Sequence, residues 1–178
     1  MEDLPLPNDT GLPQSTDPII DFANRFVEQG GTMYYCSDQT QIGQRFHEIV
    51  NRYGVDFPVA CCNENLTSFL QNIGVPQAVV STPNMQYAIG ALLCEALTSD
   101  NGSVIISDKQ GFGVTMPYLP QVTILVAFTS QVLPNWDAAV NRLKEFYKTF
   151  PNQTWRLRPD EQTRKLTHIY LVLIDDES

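Results

Sequence analysis

Apolar positions recur along this chain with two alternating periods, and the alternation predicts the fold class. Ile19, Ile20, Phe22, Ala23, Phe26 and Val27 lie at helical spacing behind Asp17 and Pro18. That arrangement is a capping side chain followed by a residue pre-set for the first helical turn. Gly30 and Gly31 end the run, and residues 32–36 are short and β-prone. Asp38 or Thr40 opens a second helix, whose stripe is Ile42, Phe46, Ile49, Val50 and Tyr53, closed by Gly54. Residues 58–62 form a short apolar strand. Asn63 or Asn65 caps a third helix through Leu66, Phe69, Leu70 and Ile73, closed by Gly74, and residues 78–81 make another short strand. Short, wholly apolar strands separated by amphipathic helices predict a mostly parallel sheet with helices on both faces, an α/β fold.

The pattern changes in the middle. Residues 87–97 are apolar and predict a strand followed by a helical turn. Ser99-Asp100-Asn101-Gly102-Ser103 is a strong turn signal, and 104–107 reads as a strand. Residues 108–120 hold two glycines and two prolines with few charges, which predicts an ordered loop. Residues 122–128 make the most strand-like stretch of the chain, Asn135 caps a further helix, 154–157 is a minor strand, and 167–174 is a clear last strand. Residues 1–16 contain three prolines and read as a flexible tail, leaving 17–178 as one domain.

Composition narrows the function. Hydrophobic residues make up 43% and charged residues 17%, as in an ordinary globular domain. Acidic residues outnumber basic ones 20 to 11, for a formal charge of -9. Such a surface repels phosphate backbones and argues against nucleic acid as a partner. Backbone N–H groups can still hold a small anion whatever the net charge. No basic start leads into an apolar stretch, and no apolar run is long enough to span a membrane, so a cytoplasmic location and no membrane partner are expected. Cys36, Cys61, Cys62 and Cys94 form no C-x-x-C pair, and His47 and His168 complete no zinc pattern. No metal site and no cofactor are expected.

Within that frame, a few residues carry candidate chemistry. Glu95 stands in an otherwise apolar stretch, where burying a carboxylate is costly unless it is partnered. It is a candidate general acid/base, or a nucleophile for acyl transfer. The bland alternative is an exposed Glu on a helical turn. Asp100, Asn101, Gly102 and Ser103 form a candidate anion nest, with Asp100 as a second candidate catalytic acid; the alternative is a plain hairpin turn. Lys109, Gly111 and Gly113 are candidate ligand contacts on the following loop, against a surface lysine among turn glycines. The G-x-G there lacks the later glycine and the helix of a dinucleotide fingerprint. Arg156, Arg158, Arg164 and Lys165 form the one basic cluster, interrupted by Asp160 and Glu161, which favours a solvated, ion-paired face.

Three segments together resemble the LUD domain found in lactate utilisation proteins. The first is 94–107, with its acid, small and apolar residues, turn and strand. The second is Leu119-Pro120, the strand 122–128, and Ser130-Gln131-Val132-Leu133-Pro134. The third is His168-Ile169-Tyr170-Leu171-Val172-Leu173-Ile174-Asp175. The resemblance implies a fold related to sugar-phosphate isomerases and coenzyme A transferases. It also implies a role in oxidising L-lactate to pyruvate beside separate iron–sulfur oxidoreductase subunits. The chain departs from the family pattern in several places. Asn101 stands where a Thr is usual, residues 111–118 lack an Arg, and Thr123 replaces a His. A Gly-free charged stretch, 156–163, replaces a Ser-Gly-Pro-Ser-type loop. The expected partner is therefore a small anionic metabolite, with iron–sulfur subunits and a second copy of the chain as further options. Two other functions fit the same residues: a non-catalytic assembly module with a degenerate pocket, and an acyl or CoA transferase-like enzyme using Glu95.

Overall fold

The computed structural model describes residues 17–54, 56–82, 85–110, 119–163 and 167–176. The tail at 1–16, the candidate residues Gly111 and Gly113, and Arg164 and Lys165 lie outside the described residues.

Capping side chains set the helix starts. Asp17 accepts the Ile19 N–H at 2.8 Å and opens α1 (Pro18–Glu28). Asp38, rather than Thr40, accepts from Gln41 and opens α2 (Gln39–Tyr53). Asn63, rather than Asn65, accepts from Leu66 and opens α3 (Glu64–Asn72). In each case the side-chain oxygen satisfies an N–H that has no partner inside the helix. Between and after these helices come β1 (Thr32–Cys36), β2 (Val59–Cys61), β3 (Ala78–Val80) and β4 (Ile89–Leu93). The chain continues through β5 (Ala96–Thr98), β6 (Ser103–Ser107), β7 (Val122–Phe128) and β8 (Val132–Leu133). The last elements are α4 (Trp136–Phe146), β9 (Thr154–Leu157), α5 (Pro159–Thr163) and β10 (His168–Ile174).

Six strands form a sheet in the order β1-β10-β7-β4-β2-β3, and every neighbouring pair is parallel. Helices flank it, as the pattern predicts. Six of the seven residues of β7 are buried, and in β10 only His168 is exposed. That burial on both faces is why these strands show no alternation in the sequence. Phe22, Phe26 and Phe46 are fully buried in the same core, each worth about 1.5–3 kcal/mol of transfer free energy. All four cysteines are free and buried, behaving as small hydrophobes.

One expectation fails. The stretch after β4 is not a helical turn; it is β5, the first arm of a hairpin with β6. That hairpin belongs to a second sheet, β8-β5-β6-β9, which is mostly antiparallel. The minor strand at 154–157 is its edge, paired with β6. The charged stretch 156–163 folds as the end of β9 and the short α5. Ala96, Ile105 and Ala139 form a small separate core between this sheet and α4. No helix among the described residues is long and apolar enough to cross a membrane.

Candidate functional site

The chain changes sheets at Cys94 and Glu95. The Cys94 N–H bonds to the Val126 carbonyl of the parallel sheet at 3.0 Å, and the Glu95 N–H bonds to the Ile105 carbonyl of the second sheet at 2.8 Å. Glu95 thus sits just beyond the carboxyl end of β4, the edge where open α/β sheets gather ligands. Gln131 secures the crossing from the other side, its amide donating to the Cys94 carbonyl at 2.8 Å.

The side chain of Glu95 is 5% exposed, not the exposed group of the bland reading. A buried carboxylate needs donors, and two hydroxyls supply them. Ser107 Oγ donates to Oε1 at 2.5 Å, and Tyr147 OH lies 2.9 Å from Oε1 and 3.2 Å from Oε2. The Lys109 N–H donates to Ser107 Oγ at 3.1 Å, and Gln110 Nε2 donates to Tyr147 OH at 3.3 Å. The 3-10 turn Asp108–Gln110 is thereby tied to the carboxylate through both hydroxyls. In the same turn the buried Oδ1 of Asp108 has no hydrogen-bond partner among the described residues.

Burial, and then the hydrogen bond and negative charge of Glu95, push the Tyr147 phenol well above its ordinary range. The neutral phenol is the stabilised form. Its contribution is complete below the ordinary tyrosine pKa and is lost as pH rises through the raised folded value. Replacing Glu95 with Gln removes the negative charge. The Tyr147 13Cζ resonance of E95Q is expected to titrate at lower pH than in the wild-type protein, and an unmoved midpoint would show that the two groups are not coupled.

The turn at 99–102 is differently occupied. Three N–H groups here are used within the chain: Asp100 N to the Pro134 carbonyl, Gly102 N to the Thr98 carbonyl, and Ser103 N to Asn101 Oδ1. Thr98 Oγ1 also donates to Asn101 Oδ1, at 2.9 Å. Gln29 of α1 donates to the Asn101 carbonyl at 2.7 Å. Gly102, at φ +66°, lies so close to α1 that an added Cβ would stand 2.8 Å from Arg25 Cβ and 3.0 Å from the Phe26 nitrogen. This is a hairpin turn docked on a helix. Ser103 is buried and Asp100 exposed. The hairpin register places the turn and Glu95 at opposite ends of β5. Of the candidate residues, the fold brings Glu95 and Lys109 to one place and leaves Asp100, Asn101, Gly102 and Ser103 at another.

Ser107 and Tyr147 are absent from the sequence-derived candidates. For Ser107 a signal exists: counting back from the Asn-Gly turn along both arms brings residues 95 and 107 to the open end of the hairpin. Tyr147 is 52 residues from Glu95 and carries no comparable signal. Asp176, beyond β10, also escaped notice. Its carboxylate accepts from Thr129 Oγ1 (2.8 Å), Ser130 N (2.9 Å) and Ser130 Oγ (2.6 Å), which joins the carboxyl ends of β7 and β10. Desolvation opposes its ionisation, but the Ser130 and Thr129 hydrogen bonds outweigh it and lower its pKa. Three further positions singled out in the sequence make contacts within the fold. Arg156 stacks 4.8 Å over the Trp136 ring, Arg158 pairs with Asp160 at 3.2 Å, and Thr123 donates to the Pro120 carbonyl. Among the described residues, no group of three or more His, Cys, Asp or Glu is placed to hold a metal ion.

Residues 84–166 match the family model described as the LUD domain. This segment contains Glu95, Ser107 and Tyr147. A search of curated proteins finds no match. Among solved structures, the chain is similar to a crystal structure of a DUF162 family protein from Deinococcus radiodurans, with 13% sequence identity and a TM-score of 0.69. The alignment covers 92% of this chain and 99% of that one. At that identity the likeness establishes the fold alone.

Proposed function

We propose that this chain, matched to the LUD domain over residues 84–166, binds a small anionic metabolite of organic-acid metabolism beside Glu95. The observation that carries this reading is a buried carboxylate held by two hydroxyls at the point where the chain leaves the carboxyl edge of the parallel sheet. The exposed Lys109 stands within the Asp108–Gln110 turn and offers a positive charge for the anionic end of the metabolite. Glu95 accepts a hydrogen bond from its hydroxyl end. The nest at 100–103 has no role in this reading, because the N–H groups of Asp100, Gly102 and Ser103 already have partners inside the chain.

In the lactate-to-pyruvate chemistry that the LUD resemblance implies, we assign electron transfer to separate iron–sulfur subunits. Burial raises the pKa of each of the four thiols, that of Cys61 to about 11, so in the free chain they are protonated and poorly reactive.

Thermal unfolding with millimolar L-lactate, pyruvate, a coenzyme A ester and a sugar phosphate tests the reading. At ten times Kd a ligand stabilises the folded state by about 1.4 kcal/mol, which is roughly 3–5 °C in a domain of this size. The shift is expected with a hydroxy or keto acid and is expected to vanish in Glu95→Gln. No shift with any of the four would favour the assembly-module alternative. A shift with the coenzyme A ester alone, together with a hydroxamate on Glu95 after hydroxylamine treatment, would favour acyl transfer.

A further inference from the structure

We infer that Tyr147 is the positioning residue of Glu95, and that it leaves Oε2 as the oxygen the carboxylate presents to a ligand. The inference rests on the reading of Glu95 as the ligand-facing group and assigns each atom around it a task.

Hydrogen-bond direction comes first. A phenol hydroxyl has one proton and can also accept. Gln110 Nε2 donates to the Tyr147 oxygen at 3.3 Å, so the phenol proton is free to be given to Glu95. The relay runs from Gln110 through Tyr147 to the carboxylate on one side, and from the Lys109 N–H through Ser107 on the other. Both arms end on Glu95 as acceptor, which is the only role open to an ionised carboxylate.

Acceptor capacity comes next. A carboxylate offers about four lone-pair sites, two on each oxygen. Oε1 receives both Ser107 at 2.5 Å and Tyr147 at 2.9 Å, so its two sites are filled. Among the described residues, Oε2 receives only the longer 3.2 Å contact from the same phenol, whose single proton is already directed at Oε1. In a side chain 5% exposed, an under-served oxygen is costly, and a ligand hydroxyl or other donor would satisfy it.

The position of Tyr147 fits the task. It follows α4 directly, its N–H still bonded to the Leu143 carbonyl, so its side chain starts from a fixed point. Phe146, 73% exposed, packs edge-on against the phenol ring with centroids 5.0 Å apart. The part-buried phenol thus holds the carboxylate from the α4 side, while Ser107 holds the same carboxylate from within the hairpin.

Tyr147→Phe keeps the ring and removes only the hydroxyl. Two measurements on the full chain test the inference. The first needs no ligand: the carboxylate stretch of Glu95, isolated as the infrared difference between wild type and E95Q, is expected to shift when the same difference is taken in the Y147F background. The second is the Kd for L-lactate, expected to rise at least fivefold in Y147F. An unshifted carboxylate band overturns the inference, because a purely packing role for the ring would leave the band in place. Equal affinity of wild type and Y147F for L-lactate overturns it as well, while leaving the metabolite reading intact. A shifted band in a protein that binds no L-lactate supports the positioning role and counts against the metabolite.

Discussion

Gly102→Ala is expected to lower the thermal unfolding midpoint by roughly 4–12 °C. Two costs add. A non-glycine residue at φ +66° loses about 1–2 kcal/mol to backbone sterics. The new methyl would also stand 3.0 Å from backbone atoms of Arg25 and Phe26, which belong to a helix and cannot swing aside. Together these cost about 2–3 kcal/mol, and each kcal/mol moves the midpoint of a domain this size by about 2–4 °C. Asp100→Ala in the same turn removes an exposed side chain and is expected to change stability by less than about 0.5 kcal/mol. Calorimetry on the two variants decides the matter. Equal midpoints would mean that the turn does not depend on its seat against α1.

The second large effect is expected where the Glu95 carboxylate loses its donors. Ser107→Ala combined with Tyr147→Phe leaves a charge that is 5% exposed with neither hydroxyl facing it. Stripping the partners from a buried charge costs about 3–5 kcal/mol, more than the net worth of the bonds themselves. The penalty belongs to the stranded charge, so removing that charge should relieve it. The triple variant that adds Glu95→Met is expected to recover most of the loss. Urea unfolding at constant slope gives the three values. If the double variant unfolds at the wild-type midpoint, or the triple variant stays as unstable as the double, then Glu95 is not desolvated in the folded chain.

What the sequence revealed and what it hid differ in range. Caps at Asp17 and Asn135 were legible, and those at Asp38 and Asn63 were each narrowed to two residues, because a cap is a local device: an oxygen just ahead of an apolar stripe. The parallel sheet was legible for a similar reason, since β7 and β10 are buried on both faces and read as unbroken apolar runs. The second sheet was not, because its outer pairing joins 104–107 to 154–157 across about half a hundred intervening residues, and nothing in either segment names the other. The candidate site divides the same way. Glu95 drew notice as a lone charge in apolar surroundings, whereas its partner Tyr147 looks like one more aromatic residue at a helix end. The hairpin turn drew notice for its glycine, and the structure shows what that glycine meets, the flank of α1.

β10 lies inside the parallel sheet, between β1 and β7, although it is the last strand described. On a translating ribosome, β1 leaves the exit tunnel early and finds no neighbour until residues 168–174 have followed it. Until then its pairing edge, and the flank of β7 that will face β10, stay open to any other extended chain. This sheet therefore cannot close until residues 168–174 are available, and a nascent chain stalled before residue 168 would be a natural client for a holding chaperone.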